Sequence, residues 1–125
     1  MLPMAELIPA PTRIPVPGGK VIDEYVGRVN SGSESVSVAH MQAPPGWSEP
    51  PQIPEFDEIT LVLRGLVRAE VPAETGGIKT LDVRAGQALL TRAGEKVRYS
   101  TGDEQTEYVA ICMPAFSPDT VNREE

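Results

Sequence analysis

The chain has 125 residues, 40% hydrophobic but only 5% aromatic, with 13 prolines and 11 glycines. That length holds one domain with a single core, and so many breaks between short apolar runs favour an all-β domain over a helix bundle. A net charge of −7 keeps the domain soluble and argues against nucleic acid or an anionic membrane surface as partner, since both call for a basic footprint.

Residues 1–20 carry Pro3, Pro9, Pro11, Pro15 and Pro17 before Gly18-Gly19, which denies helix and central strand. This extended arm either lies loosely over the barrel, or covers a sheet edge or crosses to a second subunit. The start lacks a basic n-region and is interrupted by proline, so it makes a poor signal peptide. Lys20–Arg28 reads as a first strand, followed by turn chemistry at Asn30-Ser31-Gly32-Ser33. Ser35–Met41 alternates, with Val36, Val38 and His40 on one face and Ser35, Ser37, Ala39 and Met41 on the other. After Pro44-Pro45-Gly46 comes an irregular Trp47–Gln52 segment, then a strong strand running from Glu58 to Leu63 and turned by Gly65. Leu66–Val71 and Ile78–Val83 form a hairpin, Ala88–Leu90 and Val97–Ser100 are short strands, and Tyr108–Met113 is the last strong one. Roughly eight strands at this spacing predict a double-sheet jelly roll or small barrel. The domain spans 21–118, between the Pro-rich arm of 1–20 and a polar tail of 119–125. No apolar run approaches the ~20 residues of a membrane span, and the single Cys112 cannot form an internal disulfide. Both fit a cytoplasmic protein.

Glycine spacing adds a resemblance. Gly46, Gln52-Ile53-Pro54, Glu58 and Gly65 fall at the steps of the first cupin motif. Gly86, Arg92-Ala93-Gly94, Val97 and Thr101 fall at those of the second. Over about residues 35–115 the chain resembles a small single-domain cupin, which implies a double-stranded β-helix (jelly-roll) barrel and a homodimer. The phrases Phe56-Asp57-Glu58-Ile59 with Val62-Leu63, and Tyr108-Val109-Ala110 leading to Pro114-Ala115-Phe116, look most like the ethanolamine-utilisation Q-type cupins. In most cupins two histidines and the glutamate of the first motif, with the histidine of the second, hold a divalent metal. Here those places carry Gln52, Pro54, Glu58 and Val97. One good donor remains where a transition metal takes three or four, so no metal or other cofactor is expected.

The resemblance points Glu58 into the barrel with Phe56, Thr60 and Val62. A carboxylate in an apolar cavity must be paired, hydrogen-bonded or protonated. It is either a general acid/base or ligand anchor, or a hydrogen bond tying two strands. Gln52 and Thr60 are substrate-binding candidates, and Trp47 either caps the barrel mouth or buries an edge. Tyr99 could donate to a developing oxyanion. His40 is either a hydrogen-bonded core or edge residue or, if it turns inward beside Glu58, an acid/base partner. Glu55 and Asp57 fall on the opposite, solvent face, and Glu49 and Arg98 read as solvated.

These readings converge on a small organic ligand held without metal, with proton-transfer chemistry of isomerase, cyclase or lyase type on Glu58. The alternatives are a non-catalytic binding or accessory module of a metabolic pathway, and a displaced metal site drawing on His40, Glu58 and Gln52. The partner would be a small organic ligand, with no nucleic acid and no membrane.

Overall fold

A computed structural model describes residues 2–124. Nine strands form in chain order: β1 Thr12–Ile14, β2 Val21–Val26, β3 Ser37–Ala43, β4 Asp57–Arg64, β5 Leu66–Pro72, β6 Ile78–Arg84, β7 Ala88–Thr91, β8 Arg98–Thr101 and β9 Thr106–Met113. They make two antiparallel sheets. One has six strands in the order β1-β2-β3-β9-β4-β7, the other three in the order β6-β5-β8. This is the cupin-type jelly roll expected from the sequence.

Alternation decides which side of each strand enters the barrel. Along β4 the buried residues are Glu58, Thr60 and Val62, while Leu61 and Leu63 point outward, 37% and 48% exposed. Along β9 Tyr108, Ala110 and Cys112 are buried. Register locks the two strands together, pairing Glu58 with Cys112, Thr60 with Ala110 and Val62 with Tyr108. A one-residue slip would turn every inward side chain outward. Val62 shares the main core with Val67, Ala69 and Val83 of the facing sheet and with Val97 just before β8. Each such fully buried valine stabilises the fold by about 1.5–3 kcal/mol. A second cluster holds Phe56, Cys112 and Val121, with Phe56 and Phe116 packed edge to face at 5.9 Å between ring centroids.

Gly65 carries the chain from the first sheet into the second. Its φ is +80°, and a side chain there would lie 2.7 Å from the Gln105 carbonyl oxygen and 2.9 Å from the Thr106 Cα. The crossover therefore requires glycine. Within the Pro-rich arm, Thr12–Ile14 forms the edge strand on β2, bounded by Pro11 and Pro15. Proline is tolerated at such an edge because one N–H side faces outward.

Candidate functional site

Between the sheets lies a cavity of about 470 Å³. On the six-stranded sheet, β4 supplies Glu58 and Thr60, whose neighbours on β9, Ala110 and Cys112, are small enough to leave space. From the other sheet comes Tyr99 on β8. The irregular 47–52 segment is held as a further edge on β8. Val97 and Gln52 exchange backbone hydrogen bonds of 2.9 and 3.0 Å, and the Thr101 N–H donates to the Trp47 carbonyl at 2.9 Å. This pairing turns Trp47 and Gln52 inward, 9% and 3% exposed.

The site is organised around charges that burial makes expensive. Glu58 is 9% exposed, and its carboxyl is pushed up to about 7, mainly by burial and then by Glu49, against the opposing pull of Lys20 and Arg123. Lys20 enters from the end of the arm, its Nζ 4.2 Å from the centre of the Trp47 ring and 5.3 Å from that of Tyr108. Desolvation lowers its pKa, opposed by Glu49 and Glu58. Burial also raises the Tyr99 and Tyr108 phenols and the Cys112 thiol, and Glu58 adds to each shift. At the mouth, Arg123 donates to the Gln52 Oε1 at 3.2 Å and lies 3.5 Å from a Glu49 oxygen.

Glu58, Tyr99, Gln52, Trp47 and Thr60 thus line one cavity. His40 does not join them. On β3 it is Ser37, Ala39 and Met41 that face the cavity, and the His40 Nε2 lies 2.6 Å from Glu107 on the outer side of the sheet. The strand's two-residue period makes these faces exclusive, which removes His40 as a relay for Glu58. Glu49 is not simply solvated either, since its side chain is only 14% exposed and meets Arg123. Arg98 is paired with Glu70 at 2.7 Å, and Asp57 accepts a hydrogen bond from the Ala93 N–H. Sequence reasoning passed over Lys20, Arg123 and Tyr108. Lys20 and Arg123 lie outside the motif region, and the face of Tyr108 is set by the alternation of buried residues along β9.

The cupin metal places offer a poor donor set. Val97 is fully buried and apolar, Pro54 has no donor, and the Gln52 Oε1 is already engaged by Arg123. Among the described residues no three of His, Cys, Asp and Glu come together as a metal-binding group. A divalent ion held in the usual cupin manner does not fit these residues.

The fold and its cavity define a cupin-type jelly roll, and solved structures of similar shape agree. Oxalate decarboxylase from Bacillus subtilis at pH 4.6 superposes with a TM-score of 0.77 at 19% identity, covering 90% of this chain and 30% of that one. A variant of the same enzyme, with one tryptophan replaced by phenylalanine, gives 0.77 at 19%, covering 91% and 30%. At that identity the likeness is one of fold. No family model matches the chain. A curated relative, Endoribonuclease YbeY of Myxococcus xanthus, is 41% identical over 112 residues, 89% of this chain. The chain spans 36% of that relative's length.

This relative corrects several expectations. It is named as an endoribonuclease, not as an ethanolamine-utilisation Q-type protein, so that resemblance is set aside while the jelly roll stands. A small-molecule-binding protein with metal-independent acid/base chemistry, its metabolic accessory alternative and its displaced-metal alternative fall with it. So does the exclusion of nucleic acid as partner in favour of a small organic ligand. Net charge misled because it reports only on surfaces that grip a phosphate backbone, and similarity to a protein named as an endoribonuclease lies outside what it records.

Proposed function

We propose that this chain is a cupin-fold unit of RNA processing that works with an endoribonuclease polypeptide and does not itself cut the RNA backbone. The observation that carries this reading is the 41% identity to a relative named as an endoribonuclease, of which the chain spans 36%. On this reading the cutting chemistry belongs to the remainder of the longer relative. A net charge of −7 supplies no field to hold a polyphosphate backbone, which supports a recognition or positioning role. The setting expected for that work is the cytoplasm, and among the described residues no helix is long and apolar enough to cross a membrane.

The outer face of the large sheet supports a protein contact. Leu61, Leu63, Leu90 and Met113 are 37–48% exposed there, and Ile59 pairs directly with Ile111 and Leu90. A contiguous apolar sheet face of this kind marks an interaction surface. The occupant proposed is the endoribonuclease polypeptide.

The test is to purify this chain together with the part of the Myxococcus xanthus protein that lies outside the matched segment. Co-elution of the two, with no cleavage of single-stranded RNA by the chain alone, is expected. Cleavage by the isolated chain, or failure to associate, would overturn the proposal.

A further inference from the structure

One wall of the cavity is a short strap that the barrel holds loosely. Residues 15–19 join β1 to β2 without regular structure and are exposed. Among the described residues no backbone hydrogen bond links 16–19 to the barrel. Gly18 and Gly19 turn the strap at φ +82° and +78°, a conformation that glycine adopts without strain. Val16, Pro17 and Gly18 still line the cavity. A segment this exposed and this short of hydrogen bonds opens locally while the barrel stays folded. At its end stands Lys20, whose Nζ lies 4.2 Å from the centre of the Trp47 ring and 5.3 Å from that of Tyr108. Glu49 and Glu58 favour the ammonium charge there, and Arg123 opposes it. Two ring faces in a field of carboxylates are the means by which proteins recognise an ammonium group. Both rings are fixed by the barrel. Tyr108 lies within β9, and Trp47 exchanges hydrogen bonds with the backbone N–H and side-chain Oγ1 of Thr101 at 2.9 and 3.0 Å. The cation, in contrast, comes on a flexible four-carbon stem from the connection just before β2.

Resting on the partnership proposed above, we infer that Trp47 and Tyr108 form a cage for a lysine side chain of the endoribonuclease polypeptide, which Lys20 fills until that lysine displaces it. The group already held there defines the class of ligand, a primary ammonium on an unbranched stem. A polypeptide that cuts RNA needs basic side chains to meet the phosphate backbone, and a net charge of −7 makes this chain their complement. The cavity of about 470 Å³ beside the cage leaves room for an incoming stem. Because Lys20 competes from within the same chain, it weakens binding of the incoming lysine in proportion to the time it holds the cage. Removing Lys20 should therefore strengthen the partner's binding, whereas removing a residue that only fastens the strap would not.

Trp47 is the sole tryptophan, so fluorotryptophan incorporated into the full chain gives one fluorine resonance that reports on the cage. In Lys20→Ala the cage is empty, and n-butylammonium should shift that resonance saturably, while n-butanol, the same stem without the charge, should not. Lys20→Arg keeps a cation in place and should bind n-butylammonium on the order of tenfold more weakly than Lys20→Ala. Thermal unfolding checks that both variants fold. In the wild-type chain, the part of the Myxococcus xanthus protein outside the matched segment should shift the same resonance, and Lys20→Ala should bind that polypeptide on the order of tenfold tighter. The wild-type measurement needs no variant and decides even where Lys20→Ala unfolds. A folded Lys20→Ala that ignores n-butylammonium would overturn the cage. Co-elution with the wild-type Trp47 resonance unmoved would overturn the lysine exchange and leave the partnership standing. A response to n-butylammonium without co-elution would sink the partnership, and the partner's lysine as occupant with it.

Discussion

Replacing Glu58 with glutamine should make the protein more stable at pH 8 and leave it nearly unchanged at pH 4. Glutamine keeps the size and hydrogen-bonding capacity of a protonated glutamic acid while deleting the ionisation. The Glu58 carboxyl is raised from 4.5 to about 7 in the folded state. Below pH 4.5 both folded and unfolded chains carry the proton, and the group adds no pH dependence. Between pH 4.5 and about 7 the folded state holds a proton that the unfolded state has lost, so stability falls as pH rises. The slope is about 1.4 kcal/mol per pH unit, and over that window the loss is about 3 kcal/mol. For a domain of this size about 3 kcal/mol corresponds to roughly 10 °C in Tm. Urea unfolding of both proteins from pH 4 to 9 is the assay. The curves should coincide near pH 4 and separate towards pH 8, with the variant the more stable. Parallel curves across the range would show that the folded protein accommodates the ionised carboxylate as readily as water does.

Gly65→Ala should lower stability by at least about 2 kcal/mol, because a side chain at φ +80° is strained and would press on the Gln105 carbonyl; chemical denaturation measures this. Arg123→Ala removes a cation that pulls the Glu58 pKa down, so the carboxyl should titrate at still higher pH in NMR. Burial and Glu58 raise the Cys112 thiol, so its reaction with a thiol reagent at pH 7.5 should be roughly tenfold or more slower in the folded than in the urea-unfolded chain. Leu61→Glu should abolish co-elution with the endoribonuclease polypeptide while leaving Tm within a few degrees, since Leu61 faces outward.

Much of the barrel was legible because strands write themselves in two-residue alternation. Glu58, Thr60 and Val62 on one face of β4, and Gly65 ending it, follow from the sequence pattern and reappear in the fold. Turn glycines at Gly86 and Gly94 have positive φ, as the motif spacing required. The site was legible only in part. Period-two reasoning grouped His40 with Val36 and Val38 but could not say which face turns inward, and only the pairing of β3 with β9 decides that. Lys20 and Arg123 reach the cavity from segments 38 residues before and 65 residues after Glu58, and no local pattern reports such convergence. Similarity to an endoribonuclease left no mark in the composition, because it rests on identity to part of a longer protein and not on a basic surface.

The most direct test is RNA cleavage by the Myxococcus xanthus endoribonuclease with and without the segment that this chain matches. A cupin-fold unit that serves cleavage predicts a lower kcat/KM on single-stranded RNA after deletion, and recovery when this chain is added or spliced in. Cleavage that is unchanged by the deletion would mean that the matched segment, and by extension this chain, takes no part in the processing of RNA.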